Sequence, residues 1–261
     1  MILNRIRKLL CLVSAAVLPS PAAVIILRLC GHRIGPKCRI GLSILWVDSL
    51  VLQGHNRIGH FNVIVCKRLC MHCEGYMGRT NTVFGPISIF LRRRGAIGNN
   101  NKIVRGPQDT LTVGPASLRI GRLAKITGGH RIDCTRSVSI GDYSTLAGIG
   151  IQVWTHGYIH EPSGPGRYRI DGRVRIANNV YIGAGAIINL GVDICGGTIV
   201  GAGTTIARSI DAPGLYVSSP MRQLPRPPAP ELRDDLVRER SAALCETVYR
   251  KTGPGIRNPA Q

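Results

Sequence analysis

Two histidines and a carboxylate fall within six residues: His156, His160 and Glu161, interleaved with Trp154 and Tyr158. An imidazole takes up and gives back a proton near neutral pH. It can therefore activate a hydroxyl, which is a poor nucleophile until its proton leaves. A neighbouring carboxylate can fix the tautomer of such an imidazole, a role open to Glu161. The block lies within 152–169, where a regular pattern on either side breaks off. A loop extruded from a repetitive scaffold is a common place for function. No serine or cysteine sits in a nucleophile elbow, which disfavours a covalent enzyme intermediate.

The pattern that breaks there is a step of six. Ile170, Ile176, Ile182, Ile188, Ile194, Val200 and Ile206 are all β-branched, and Val174, Val180, Ala186, Val192, Thr198 and Thr204 fall four places after the first six of them. A period of six fits neither an amphipathic helix nor a two-faced strand. It fits a chain that turns a corner every six residues, three corners making one coil of about eighteen residues in a solenoid. The β-branched residues should point inward and stack between coils, with the small residues beside the corners. The residue after each aliphatic (Asp171, Ala177, Gly183, Asn189, Cys195, Gly201, Ala207) suits a corner that is crowded or left-handed.

Fragments of the same ladder occur upstream, at Ile34-Gly35, Ile58-Gly59, Ile97-Gly98, Ile120-Gly121 and Ile140-Gly141. The step of two from Val138 to Ile140 marks a re-phased coil, and 65–96 reads as irregular coils or an extruded loop. The expectation is one all-β parallel solenoid over 34–224.

The flanks differ from it. Residues 1–33 carry Arg5, Arg7 and Lys8 and then no charge until Arg28, with Pro19-Ser20-Pro21 splitting the apolar stretch. Two short apolar helices follow, which could lie on an anionic membrane surface or cap the first coil; a cleaved signal is the third reading. After a proline-rich linker, the segment Glu231 to Lys251 has a helical stripe in Leu232, Leu236, Ala243, Leu244 and Val248, so 225–261 is expected to hold a linker, a C-terminal helix and a loose tail.

Lysine and arginine exceed aspartate and glutamate by 20. That implies an anionic partner. Nucleic acid is disfavoured, because there is no recognition motif and little interleaving of aromatic with basic residues. Nine cysteines, an odd and scattered set, read as reduced thiols. Cys66, Cys70, His72 and Cys73 could hold zinc, but no second Cys-x-x-Cys completes the set, and packed thiols are the simpler reading.

The stretch from Val174 to Leu224 resembles the hexapeptide-repeat acyltransferases. The likeness rests on Val180-Tyr181-Ile182-Gly183-Ala184-Gly185-Ala186, on Ile199-Val200-Gly201-Ala202-Gly203-Thr204, and on Ala212-Pro213-Gly214-Leu215-Tyr216-Val217-Ser218-Ser219-Pro220-Met221-Arg222. The resemblance implies a left-handed parallel β-helix, a homotrimer with sites between subunits, and direct transfer of acetyl from acetyl-CoA without a metal. It implies His156 as general base, with His160 as competitor or orienting group. It assigns Ala184 and Ala202 to the wall along the pantetheine arm, and Arg208 and Arg222 to the phosphates. Pro225 stands where relatives carry a further basic residue. Backbone N–H groups at a glycine corner could hold the oxyanion.

The N-terminal segment with Leu18-Pro19-Ser20-Pro21 is similar to subfamily members of bacterial surface polysaccharide assembly. That implies a sugar hydroxyl as acceptor and a cytoplasmic enzyme, peripheral on the inner membrane face. Alternatives are another acceptor such as serine or an antibiotic, a zinc hydratase of the same fold using His130, His156 and His160, and a non-catalytic membrane scaffold.

Overall fold

The aliphatic ladder turns inward because each coil of the chain lies on the previous one in parallel register. The computed structural model describes residues 2–218, 228–240 and 247–252. Three parallel faces repeat in the same order along the chain. The first carries two-residue strands, from Arg39–Ile40 through Thr145–Leu146 and Tyr181–Ile182 to Leu215–Tyr216. The second includes Lys102–Val104, Arg131–Asp133, Gln152–Val153, Ile187–Ile188 and Thr205–Ile206. The third includes Ile87–Leu91, Ala116–Ile120, Val138–Ile140, Val174–Ile176 and Asp193–Ile194. Early in the chain, Ile44–Leu52 and Val63–Met71 bend from the second face into the third, so both faces belong to one 14-stranded sheet.

Register explains where the sequence period fades. Stacked partners are 18 residues apart at Arg39 and Arg57, 19 at Arg57 and Tyr76, and 20 at Tyr76 and Ala96. The stretch 65–96 is therefore a set of ordered coils a residue or two longer than the ideal, with no extrusion. The real extrusions lie later, where the spacing jumps to 29 between Ala96 and Lys125 and to 36 between Thr145 and Tyr181. The first is a short excursion around the Gln108–Thr112 bridge, flanked by Gly106-Pro107 and Gly114-Pro115. The second is an antiparallel hairpin of His156–His160 with Arg167–Asp171.

Ile176, Ile182, Ile188, Ile194, Val200 and Ile206 are buried in one continuous core with Val174, Val180, Ala186 and Val192. Each fully buried aliphatic of this size contributes about 1.5–3 kcal/mol. Val138 and Ile140 both face inward from one strand, so their two-residue step is ordinary strand alternation. Ile170 does not belong to this core. It sits in the hairpin and packs with Leu236 and Tyr249, so its place in the six-step series is coincidence.

Each corner separates two demands, close packing and a left-handed dihedral, onto different residues. Directly after the aliphatic, space is short: a Cβ on Gly183 would lie 2.6 Å from the backbone N of Ala202 in the next coil. The left-handed dihedral falls two places later, as at Gly185 (φ 67°) and Gly203 (φ 69°).

A buried polar column runs beside the core. Asn62, Asn81 and Asn101 are stacked, each amide bonding the next, and the His130 N–H continues the column to Asn101 Oδ1 at 3.0 Å.

The helices α1 (Ile2–Val17) and α2 (Ser20–Leu29) cover the first coil, with Cys11, Ala15, Val24 and Leu27 joining the solenoid core. Ser20 Oγ accepts the Ile40 N–H at 2.9 Å, which ties α2 to that coil.

Among the described residues the expected C-terminal helix is not formed, and Ala243 and Leu244 of its stripe lie outside them. Leu236–Arg238 and Val248–Lys251 are strands, preceded by a single 3-10 turn at Pro230–Leu232. Val248–Lys251 adds in parallel to Arg167–Asp171. The hairpin presents an open edge of backbone donors and acceptors, Val248 and Tyr249 are strong strand formers, and Tyr249 buries against Ile170. That pairing outweighs the helical spacing, and Leu232 is left exposed.

Candidate active site

His156 opens the hairpin at the corner between the second and third faces. The preceding strand Gln152–Val153 stacks on Arg131–Asp133 one coil earlier, so Asp133 comes beneath the chain just before His156. The Asp133 carboxylate accepts from His156 Nδ1 at 2.9 Å. It also accepts from the Thr135 hydroxyl at 3.0 Å, from the Thr155 N–H at 3.0 Å and from the Thr155 hydroxyl in a short contact. Asp133 is almost wholly buried, while the His156 side chain keeps 27% of its surface exposed.

Burial alone would raise the Asp133 carboxyl, but the His156 hydrogen bond and charge, with the Thr155 donors, hold it below the ordinary value. His156 is raised, first by its hydrogen bond to Asp133, against the opposing effect of burial. An ionised Asp133 puts the imidazole hydrogen on Nδ1 and leaves Nε2 as the basic nitrogen.

The surroundings make this nitrogen directional. Trp154 and Tyr158 meet the His156 ring edge-on, at centroid distances of 6.3 and 6.0 Å. Opposite His156 in the hairpin stands Asp171, buried and bidentate with Arg169 at 2.8 and 3.2 Å. Burial raises the Asp171 carboxyl, with Arg169 opposing.

The other sequence candidates fall in different places. His160 is on the same strand, four residues on and exposed, so at about 3.4 Å per residue it lies roughly 14 Å from His156 along the strand. Glu161 follows it toward the exposed hairpin tip, where its N–H bonds Gly166 O. The carboxylate that meets His156 is Asp133, and neither His160 nor Glu161 touches that pair.

Ala184 and Ala202 do come together, at the corner between the first and second faces. There the Gly203 N–H bonds Ala184 O at 2.8 Å, and a Cβ on Gly148 would meet the Ala184 Cβ. Open space above Gly203 leaves this corner shallow. It is separated from His156 by the width of the second face, six residues from Gly150 to His156, or at most about 20 Å. Arg208 is exposed just beyond Thr205–Ile206, and Arg222 lies outside the described residues.

The zinc alternatives do not assemble. His130 is buried with both ring nitrogens engaged, Nε2 with Thr127 Oγ1 at 2.9 Å and Nδ1 with the Ile151 N–H at 3.1 Å. The bend in Val63–Met71 turns Cys66 inward and Cys70 outward, which separates the cysteine cluster. Burial pushes the Cys66 thiol up to about 12. Among the described residues, no three histidine, cysteine or carboxylate groups converge.

Asp133 was missed in the sequence because it precedes the suspect loop by a whole coil. Arg131 and Gln152 are 21 residues apart, off the six-residue grid. No spacing in the sequence points to it, since one ideal coil back from His156 falls on Val138 and the actual stacking interval falls on Thr135.

No protein-family model and no curated protein sequence matches this chain. Among solved structures, it is similar to the polySia-specific acetyltransferase NeuO, at 19% identity over 72% of this chain and 82% of that one, with a TM-score of 0.43. It is also similar to a mutant of AntD, an N-acyltransferase from Bacillus cereus solved with dTDP and coenzyme A. That match has 21% identity over 57% of this chain and 82% of that one, and a TM-score of 0.26.

Proposed function

We propose that this protein transfers acetyl from acetyl-CoA directly to a sugar hydroxyl, with His156 as general base. The observation that carries the reading is the hydrogen bond from His156 Nδ1 to the buried Asp133, on a partly exposed ring at the lip of a hairpin. His156 Nε2 takes the proton of the acceptor hydroxyl as its oxygen attacks the thioester carbonyl. The tetrahedral adduct then collapses, the C–S bond breaks, and the imidazolium returns the proton to the departing thiolate. Asp133 stabilises the imidazolium in between. Buried thiols such as Cys66 and Cys134 are held protonated by their burial and are poor candidates for an acyl-enzyme.

The shallow Ala184–Ala202 corner suits the pantetheine arm, and Arg208 and Arg222 suit its phosphates. Because that corner and His156 occupy opposite edges of one face, the reading requires a second copy of the chain. A homotrimer of left-handed coils would bring one copy's His156 to its neighbour's alanine corner.

The acceptor is read as a bacterial surface glycan or its lipid-linked precursor. Support comes from α1, which exposes Ile6, Leu9, Leu10, Val13 and Val17 as one stripe, joined by Ile25 and Leu29 of α2. Neither helix carries an acidic residue, and no helix among the described residues is long and apolar enough to cross a membrane. Such a stripe suits the surface of an anionic membrane on its cytoplasmic side, where acetyl-CoA is made.

The test is mass-spectrometric detection of acetyl on a panel of glycans incubated with the intact protein and acetyl-CoA. A 42 Da increment (about one acetyl for one hydrogen) on a glycan, with stoichiometric release of coenzyme A, is the expected result. Coenzyme A release by water alone across the whole panel would remove the sugar from the proposal.

A further inference from the structure

Away from the His156 site, a charged concavity lies on the third face, at its corner with the first. It is a groove of about 630 Å3, and Phe90, Arg92, Arg119, Ser139, Asp142 and Arg175 are among its lining residues. Phe90, Arg119, Ser139 and Arg175 form one outward column in strand register, Phe90 opposite Arg119, Arg119 opposite Ser139 and Ser139 opposite Arg175. Strands stack about 4.8 Å apart, so the backbones of Arg119 and Arg175 are about 10 Å apart, with the Ser139 hydroxyl between them.

The groove keeps an excess of positive charge: Arg92, Arg119 and Arg175 line it with one carboxylate, Asp142, and Asp193 follows Arg175 in register on the next strand. No carboxylate forms an ion pair with Arg92, Arg119 or Arg175 among the described residues. The one acidic lining residue, Asp142, is committed to its own corner, where Oδ1 accepts the Arg122 N–H at 2.7 Å. Arg119 lies over the Phe90 ring at 5.7 Å, which steadies the guanidinium along the groove.

We infer that this groove binds the acidic chain of the acceptor glycan, at a distance from the reacting sugar. A guanidinium fork pairs a carboxylate bidentately. The separation of the two arginines is on the scale of two linked pyranose rings. The groove also borders the same face as the chemistry. Thr135, which bonds Asp133, is four residues before Ser139, a span of about 13 Å. A glycan held on Arg119 and Arg175 can therefore extend toward His156. The assignment of the groove to an acceptor rests on the function proposed above and specifies its class as a uronate- or sialate-bearing polymer.

The experiment is titration of the intact protein with hexagalacturonate and, in parallel, with a neutral dextran hexamer. Three proteins are compared: the wild type, the double variant Arg119→Ser/Arg175→Ser, and a charge-matched control, Arg57→Ser/Lys102→Ser, on the other faces. Loss of two charge-assisted contacts weakens the acidic oligomer by at least about tenfold in the groove variant, while the control stays within about threefold. Equal weakening in both variants would reduce the effect to diffuse charge and overturn the site. Equal binding of dextran would overturn the acidic class, and a rise confined to the KM for acetyl-CoA would make the groove a cofactor site instead. Binding is repeated in His156→Ala: retained affinity with no transfer separates the groove from the chemistry. Wild-type binding in the groove variant of an active enzyme sinks this inference alone.

Discussion

Asp133 Oδ2 and His156 Nδ1 are 2.9 Å apart although a full coil of the chain separates them. The contact exists because the second face stacks Arg131–Asp133 directly under Gln152–Val153, and the chain then leaves the solenoid. A carboxylate that also accepts from Thr135 and Thr155 stays ionised and fixes one tautomer.

The pH dependence follows from that contact. His156 is raised above the usual histidine value, so kcat/KM should climb with pH and level off above the pH expected for a free imidazole. In Asp133→Asn the charge that raises His156 is gone and burial remains, so the inflection moves to lower pH. The rate falls by about 100-fold or more, because the tautomer is no longer enforced. A pH–rate profile of both proteins checks this. An unmoved inflection would mean that His156 is not the titrating base.

Stability should respond in the acid range. The Asp133 carboxyl is lowered by folding, so its contribution is present above its ordinary pKa and is lost as pH falls through the lowered value. His156 acts in the opposite sense: its raised pKa adds stability below its ordinary value, which fades as pH rises through the raised one. Urea titrations from pH 3 to 8 should show a shallower acid decline in Asp133→Asn than in the wild type.

The asparagine column is expected to be the costliest polar feature to interrupt. Asn81 Nδ2 donates to Asn62 Oδ1 and Gly98 O, and its Oδ1 accepts from the Asn101 backbone and side chain. Asn81→Ala strands several buried partners and should lower stability by about 2–4 kcal/mol, read by urea unfolding. A change under about 0.5 kcal/mol would show that the column relaxes without cost.

The hairpin that carries His156 is steadied by the C-terminal strand. Tyr249 packs on Tyr168 at 5.5 Å between ring centroids and is buried with Ile170 and Leu236. Tyr249→Ala should raise amide exchange in 167–171 at least about tenfold and leave 176–206 unchanged, because the small cluster is separate from the solenoid core. Uniformly faster exchange would join the two cores into one unit.

Membrane attachment has its own readout. The wild type should co-sediment with phosphatidylglycerol vesicles more than with phosphatidylcholine vesicles, and Leu9→Ser/Leu10→Ser/Val13→Ser should lose most of that binding. Equal sedimentation of the triple variant would remove the helices from membrane contact.

Much of the solenoid was legible because inward β-branched residues recur wherever coils are eighteen residues long, as from Ile176 to Ile206. The period blurs upstream because coils of 19 and 20 residues keep the fold but lose the count. His156 stood out because it interrupts the ladder. Asp133 did not, since its partnership depends on a 21-residue stacking that no local pattern shows. The terminal strand was unreadable for a related reason. Its partner is the edge of an inserted hairpin, and tertiary pairing overrode a helical stripe at Leu232 and Leu236.

The central claim is that His156 removes the proton from the acceptor. Its most direct measurement is coenzyme A release in the presence of an accepted glycan, comparing the wild type with His156→Ala at saturating acetyl-CoA and with circular dichroism to verify folding. The account predicts a fall of at least about 1,000-fold in kcat, with coenzyme A still raising the melting temperature of the variant. A folded His156→Ala enzyme that retains more than about a tenth of the wild-type rate would contradict it.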